Sequence, residues 1–179
     1  MYNICDIYFY LSLKDDTTFL ENPMTKKTIE LFGYIVNVFT IAIYFVLLFV
    51  LEIPPALKAL QFVGWILLVA GITFIFLTFA TLHRKQTGSV ISSGVFSVVR
   101  HPMYLGAIYL FLSMIFFLPH WIMATLSMVS VIYIYWFMVI GEQENIEKFG
   151  DDYKRYMQSV PRANLFAGFI RLLRSKSKE

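Results

Sequence analysis

The sequence predicts an all-α, polytopic membrane protein with four transmembrane helices, a tight helical hairpin between the third and fourth, and a cytoplasmic C-terminal amphipathic helical tail. Three observations carry that expectation. Of the 179 residues only 15% are charged, while 58% are apolar and 18% aromatic, and the mean hydropathy is +0.65. Soluble domains carry about 25% charged and about 45–50% apolar residues, and disorder needs low hydrophobicity with high net charge. Second, four stretches (residues 31–51, 59–82, 103–119 and 121–141) contain no Asp, Glu, Lys, Arg or His. Each fits the roughly 17–25 residues with which a helix crosses a bilayer, and none has the polar face that a helix of a soluble bundle would show. Third, of the fifteen Lys and Arg residues only Lys58 falls between the first and second stretches or between the third and fourth. The other fourteen lie on the opposite side, which the positive-inside bias makes cytoplasmic, together with both termini.

Along the chain, residues 1–28 form an N-terminal cytoplasmic or interfacial segment. Its apolar patch at residues 7–13 is interrupted by Asp6 and by Lys14, Asp15 and Asp16, and no basic run precedes it, so it does not read as a signal peptide. Residues 29–141 form the four-helix domain, with a loop at 83–102 between the second and third spans. The third span begins after Arg100-His101-Pro102, proline being well suited to a first helical turn. Pro119-His120-Trp121 leaves almost no loop before the fourth. Gly64 and Gly71 in the second span read as packing notches.

Residues 142–179 form a helical tail, broken at Gly150 and stopped near Pro161. Within residues 162–174 one arc gathers Leu165, Phe166, Phe169, Ile170, Leu172 and Leu173, and the other gathers Asn164, Ala167, Gly168, Arg171 and Arg174. Such a helix lies either in the lipid interface or on the protein's own cytoplasmic surface. Cys5 is the one cysteine, which excludes an internal disulfide. The three histidines do not pair at ligand spacing, so no metal is expected. Nothing points to nucleic acid, to a Rossmann-type nucleotide fold or to a nucleophile elbow.

Chemistry converges on the cytoplasmic boundary. Arg100 and His101 sit at a helix N-terminus, where unpaired N–H groups and the helix dipole already favour a carboxylate or phosphate, and Tyr104 is one turn further on. Glu142 and Glu144 end the fourth span, and the hairpin brings them toward Arg100 and His101. This pairing of acid and base either binds a zwitterion or forms an internal salt bridge.

The ordered motifs are Ser92-Ser93-Gly94-Val95-Phe96, then Arg100-His101-Pro102-Met103-Tyr104-Leu105-Gly106, then Phe149-Gly150-Asp151-Asp152-Tyr153, Tyr156 and Val160-Pro161-Arg162. Over residues 88–162 this pattern resembles the isoprenylcysteine carboxyl methyltransferase and phospholipid methyltransferase family of integral-membrane enzymes. The resemblance implies S-adenosylmethionine as methyl donor and a lipophilic or lipid acceptor entering from the bilayer. It implies that Ser89, Val90 and Ile91, the position of Phe96, and Arg100, His101, Pro102, Met103, Tyr104 and Glu142 contact the cofactor. Glu142 and Glu144 are then the candidate catalytic bases. The chain departs from the family's pattern in three places: Phe96 stands where tyrosine is common, Gly141 where the first of two glutamates is expected, and Phe137 where the prenylcysteine branch has a substrate-contacting arginine. The acceptor is thus a prenylcysteine carboxylate, a phospholipid amine or a lipophilic thiol, and a non-catalytic member of the same fold is the reading of another class. A channel is disfavoured, since no charge lies within a span.

The orientation is testable by cysteine accessibility in a Cys5→Ser background. A membrane-impermeant thiol reagent applied from the non-cytoplasmic side should label Lys58→Cys and leave Ser175→Cys unlabelled. The reverse pattern would invert the assignment.

Overall fold

A computed structural model describes residues 23–84 and 88–176. The N-terminal segment expected over residues 1–28 therefore falls largely outside the described residues. The described residues form six α-helices and no strands: α1 (Pro23–Val50), α2 (Gln61–His83), α3 (Pro102–Phe117), α4 (Trp121–Phe149), α5 (Asp151–Ser159) and α6 (Leu165–Lys176). A short 3₁₀ turn, Pro55–Leu60, leads into α2, and another, Gly94–Ser97, lies between α2 and α3.

Among the described residues three segments are long and apolar enough to cross a membrane: Lys27–Val50, Pro55–His83 and Trp121–Phe149. The uncharged stretches predict four. The remaining helix, α3, has 16 residues, about 24 Å at 1.5 Å per residue, against a hydrocarbon core about 30 Å thick. It ends at Phe117, short of the expected residue 119, because Leu118 precedes Pro119. The proline ring drives its neighbour out of the α region, and Leu118 takes φ −129° and ψ 84°. Helix α4 differs in the opposite sense. It runs unbroken past residue 141 to Phe149, so Glu142 and Glu144 belong to the long helix itself and not to a separate tail.

The distribution of side chains is that of a protein with an apolar solvent. Phe49 is 90% exposed, Phe62 70% and Trp121 72%, whereas Thr40, Ser127 and Ser130 are fully buried. Rings face outward and hydroxyls face inward, the reverse of a water-soluble fold. Helix α1 packs along α4, α2 along α3, and α3 along α4. Between α1 and α4 the Thr40 and Ser130 hydroxyls meet at 3.1 Å, an interhelical hydrogen bond worth about 0.6 kcal/mol within a membrane.

Between α2 and α3 the contact is backbone on backbone. A Cβ added at Gly71 would lie 2.8 Å from the Gly106 carbonyl oxygen, and one added at Gly106 would lie 2.8 Å from that of Gly71. Gly64 meets the Phe117 ring in the same antiparallel register. The packing notches expected at Gly64 and Gly71 are thus present, and Gly106 is their partner.

Two further turns bring the polar end together. Gly150, at φ 57° and ψ −130°, breaks the chain between α4 and α5. Gly94 holds φ 62° while its Cα faces the Thr81 side chain, so the loop seats on the end of α2. Helix α6 uses two faces at once. Gly168 presses on the backbone of Val98, whose carbonyl leaves no room for a Cβ, while Phe166, Phe169, Ile170 and Leu173 remain exposed. Leu165 and Leu172, placed in the same apolar arc by periodicity, are half-buried.

Gly106→Ala should lower unfolding stability in detergent by about 1–3 kcal/mol, the usual cost of overpacking, because backbone on α2 must move. Gly141→Ala, whose Cβ would find only the Tyr104 hydroxyl at 3.9 Å, should leave the thermal midpoint unchanged. Equal effects of the two would contradict the α2–α3 contact.

Candidate functional site

At the end of the bundle where α1 begins and α2 ends, the Glu142 carboxylate is buried among two guanidiniums and an imidazole. His101 Nε2 lies 3.2 Å from its Oε1. Arg100 Nη1 lies 3.2 Å from the same oxygen. Arg162 donates twice to Oε2, from Nε at 3.0 Å and from Nη2 at 2.7 Å. Arg100, His101 and Glu142 are all more than nine-tenths buried. The carboxylate is outnumbered: two guanidiniums, which stay charged in proteins, and an imidazole face a single negative charge.

Each member is positioned by a local feature. Pro102 opens α3 and His101 precedes it, making no side-chain cap to the helix, so its ring is free to reach Glu142 while its carbonyl accepts the Leu105 N–H at 3.0 Å. Arg100 donates its backbone N–H to the Pro161 carbonyl at 3.0 Å, which brings the Val160-Pro161-Arg162 segment back across the site. Arg162 also donates from Nη1 to the Tyr135 hydroxyl at 3.1 Å, with its guanidinium 5.9 Å from that ring's centroid. Burial works against the Arg162 charge, but the hydrogen bonds and ion pair with Glu142 outweigh it and hold the guanidinium above its ordinary pKa.

Helix α5 fastens the loop. Tyr153, Tyr156 and Val160 form a small apolar cluster against which Val90, Ile146, Phe149 and Met157 pack. Tyr156 donates its hydroxyl proton to the Phe96 carbonyl at 2.6 Å. Burial, together with the Glu142 charge, pushes Tyr153 up to about 12, and burial with the neighbouring Tyr153 raises Tyr156 further. Both phenols therefore remain neutral donors at physiological pH.

The structure brings Arg100, His101 and Glu142 into contact and sets the Tyr104 ring 5.8 Å from that of His101. Pro102 is buried beneath them. The expected cofactor-lining residues are more dispersed. Ser89 is exposed, Val90 packs toward α5, Ile91 and Phe96 are half-buried, and Met103 is exposed. Glu144 is exposed, and its charge bears on the Tyr104 hydroxyl, as does that of Glu30 on α1. Of the two readings of the acid and base groups, the internal salt bridge is present. Arg162 is its strongest partner, visible in the sequence only as the end of a motif. Tyr135 carries no sequence signal at all.

One feature of the cluster is unfinished. Arg100 Nη1 is near Glu142 but not aligned to donate to it, and Arg100 Nε and Nη1 are both buried without a hydrogen-bond acceptor. Unsatisfied buried donors cost about 1–3 kcal/mol each, and more for charged groups. They lie beside the N-terminus of α3, itself a favourable place for an anion.

A bundle of long apolar helices carrying a buried ionic cluster at one end defines an integral-membrane protein. The phospholipid methyltransferase family model matches residues 53–151, more than half of the chain, and the chain belongs to that family of methyltransferases. Comparison with curated proteins and with solved structures gives no match.

Glu142→Gln removes the one negative charge from the cluster and leaves its buried cations opposed. Unfolding stability should fall by about 3–5 kcal/mol, the usual cost of breaking a buried pair by deleting one partner. A loss below about 1 kcal/mol, the range of surface pairs, would show that Glu142 does not hold the fold together.

Proposed function

We propose that the protein is an integral-membrane methyltransferase that uses S-adenosylmethionine on a lipid acceptor, with its active site at the cytoplasmic boundary and α3 serving as a fourth crossing. The single observation that carries the proposal is the pair of buried, unsatisfied Arg100 donors beside the N-terminus of α3. These groups, in a cluster whose cations outnumber its carboxylate, suit a ligand that brings its own carboxylate. The cofactor has one, so the residues present fit it.

Arg100 and the first turn of α3 would hold the cofactor carboxylate, with His101 fixed by Glu142. The Tyr104 ring offers an aromatic face to a cation. Ser89, Val90, Ile91, Phe96 and Met103 would line the remainder. When bound, S-adenosylmethionine supplies a methyl group on a sulfonium, activated for in-line displacement. The protein's part is then alignment and exclusion of water. Glu142 is engaged on both oxygens by cations and acts as a positioning group. That leaves the exposed Glu144, near Tyr104, to take the proton from an amine acceptor.

Phe137 favours a phospholipid amine over a prenylcysteine carboxylate. A prenylcysteine enzyme is expected to place an arginine there, whereas Phe137 is turned into the α1–α4 contact, its ring against Gly33. A carboxylate acceptor therefore lacks its cation.

Purified protein should gain thermal stability as S-adenosylmethionine is added, as linkage requires of a ligand that binds the native state. His101→Ala should weaken that binding by about tenfold or more, equivalent to about 1.4 kcal/mol. Labelled methyl should appear in ethanolamine-type phospholipid when a membrane extract is supplied. If label appears instead in prenylated thiols, the prenylcysteine reading holds, and if the cofactor does not bind at all, the proposal is overturned.

A further inference from the structure

Helix α6 has two apolar faces, and only one of them is covered by the protein. Asn164 opens the helix, its side-chain oxygen accepting the Ala167 N–H at 3.0 Å. On the covered side Gly168 meets the Val98 carbonyl, Arg171 donates to the Ser159 carbonyl, and Leu165 and Leu172 are half-buried. The other face carries Phe166, Phe169, Ile170 and Leu173. These stand at i, i+3, i+4 and i+7, within an arc of about 100°. All four are exposed, Phe166 by 83%, and a contiguous apolar face of that kind calls for a partner.

Position along the bundle decides what the partner is. Helix α2 has 23 residues, about 34 Å at 1.5 Å per residue, against a hydrocarbon core about 30 Å thick. Its last residues therefore stand at the headgroup layer. Its outward apolar side chains continue to Leu82, so lipid reaches that level. Gly94 seats against Thr81, close to the end of α2. From there the 3₁₀ turn Gly94–Ser97 leads to Val98, on which α6 rests. At about 2 Å per residue that is about 8 Å of chain, comparable to the depth of a headgroup layer, about 5–7 Å.

Charge identifies the kind of lipid. Between Asp152 and Glu179 the sequence has seven Lys and Arg residues and no Asp or Glu, and Arg171, Arg174 and Lys176 of these belong to α6. An apolar face on a cationic helix matches a leaflet of anionic headgroups. A second copy of the same helix would instead set like charge against like charge.

We propose that the exposed face of α6 docks into the headgroup layer of an anionic leaflet, at the end of the bundle where Glu142 is buried. The helix then lies between lipid and loop. Val98 closely precedes Arg100, and the Pro161 carbonyl, which accepts the Arg100 N–H at 3.0 Å, closely precedes Asn164. Lipid contact thereby braces the segment that carries Arg100. Docking does not depend on the methyl-transfer reading.

The test uses the full chain with Cys5→Ser, one molecule per nanodisc, and an environment-sensitive fluorophore on a single cysteine. Phe166→Cys and Phe169→Cys report on the face, and Asp152→Cys on the exposed side of α5 is the reference. Quenchers are a nitroxide-bearing lipid and a water-soluble nitroxide. In discs containing phosphatidylglycerol, lipid quenching at both face positions should exceed the reference by about threefold or more, as for side chains ~5–10 Å inside the interface. High salt, or phosphatidylcholine alone, should weaken it by removing the electrostatic attraction. Adding Phe166→Glu to the Phe169→Cys chain should bring quenching down to the reference. Stronger quenching from water than from lipid at both positions would overturn the proposal. So would protection from both quenchers, which would place protein over the face. Equal lipid quenching with and without phosphatidylglycerol would overturn the anionic partner.

Discussion

Glu142 anchors the polar half of this protein. Its two oxygens collect three side chains from two separate parts of the chain: Arg100 and His101 before α3, and Arg162 after α5. Burying four ionisable groups is costly, and their attraction offsets that cost only when the geometry is good and the remaining donors are satisfied. Here two N–H groups of Arg162 converge on one Glu142 oxygen, at 3.0 and 2.7 Å, while His101 and Arg100 take the other. The two unsatisfied nitrogens of Arg100 mark where satisfaction stops. The same residues thus hold the fold together and form the candidate site.

The apolar half obeys a different constraint. In lipid there is no hydrophobic drive to bring helices together, so association depends on close backbone approach and a few interhelical hydrogen bonds. Gly71 against Gly106 and Thr40 against Ser130 are those contacts. They hold α2 against α3 and α1 against α4, and α3 packs along α4 to join the two.

Much of this was legible in the residues. Uncharged runs of membrane length, Gly64 and Gly71 as notches, the break at Gly150, and Arg100 and His101 opposite the glutamates of the hairpin all follow from local chemistry. Other elements were not. The end of α3 depended on Leu118 preceding Pro119, which an uncharged run does not reveal. In α6, periodicity placed Gly168 on the polar side, yet a residue without a side chain permits the closest contact, and that side packs on Val98. Tyr135 lies within an apolar run and gains a polar partner only because Arg162 returns to it from 27 residues away.

By itself the sequence determined the solvent of the protein, the side on which its cations gather and the residue types available for chemistry, because hydropathy and charge are properties of single residues and short windows. Tertiary structure alone decided who pairs with whom: that Glu142 is held by Arg162 as well as by His101, that Phe137 packs against Gly33 of α1, and that Gly106 meets Gly71. Pairing across the chain depends on how helices cross and where turns return, and no local pattern encodes those distances.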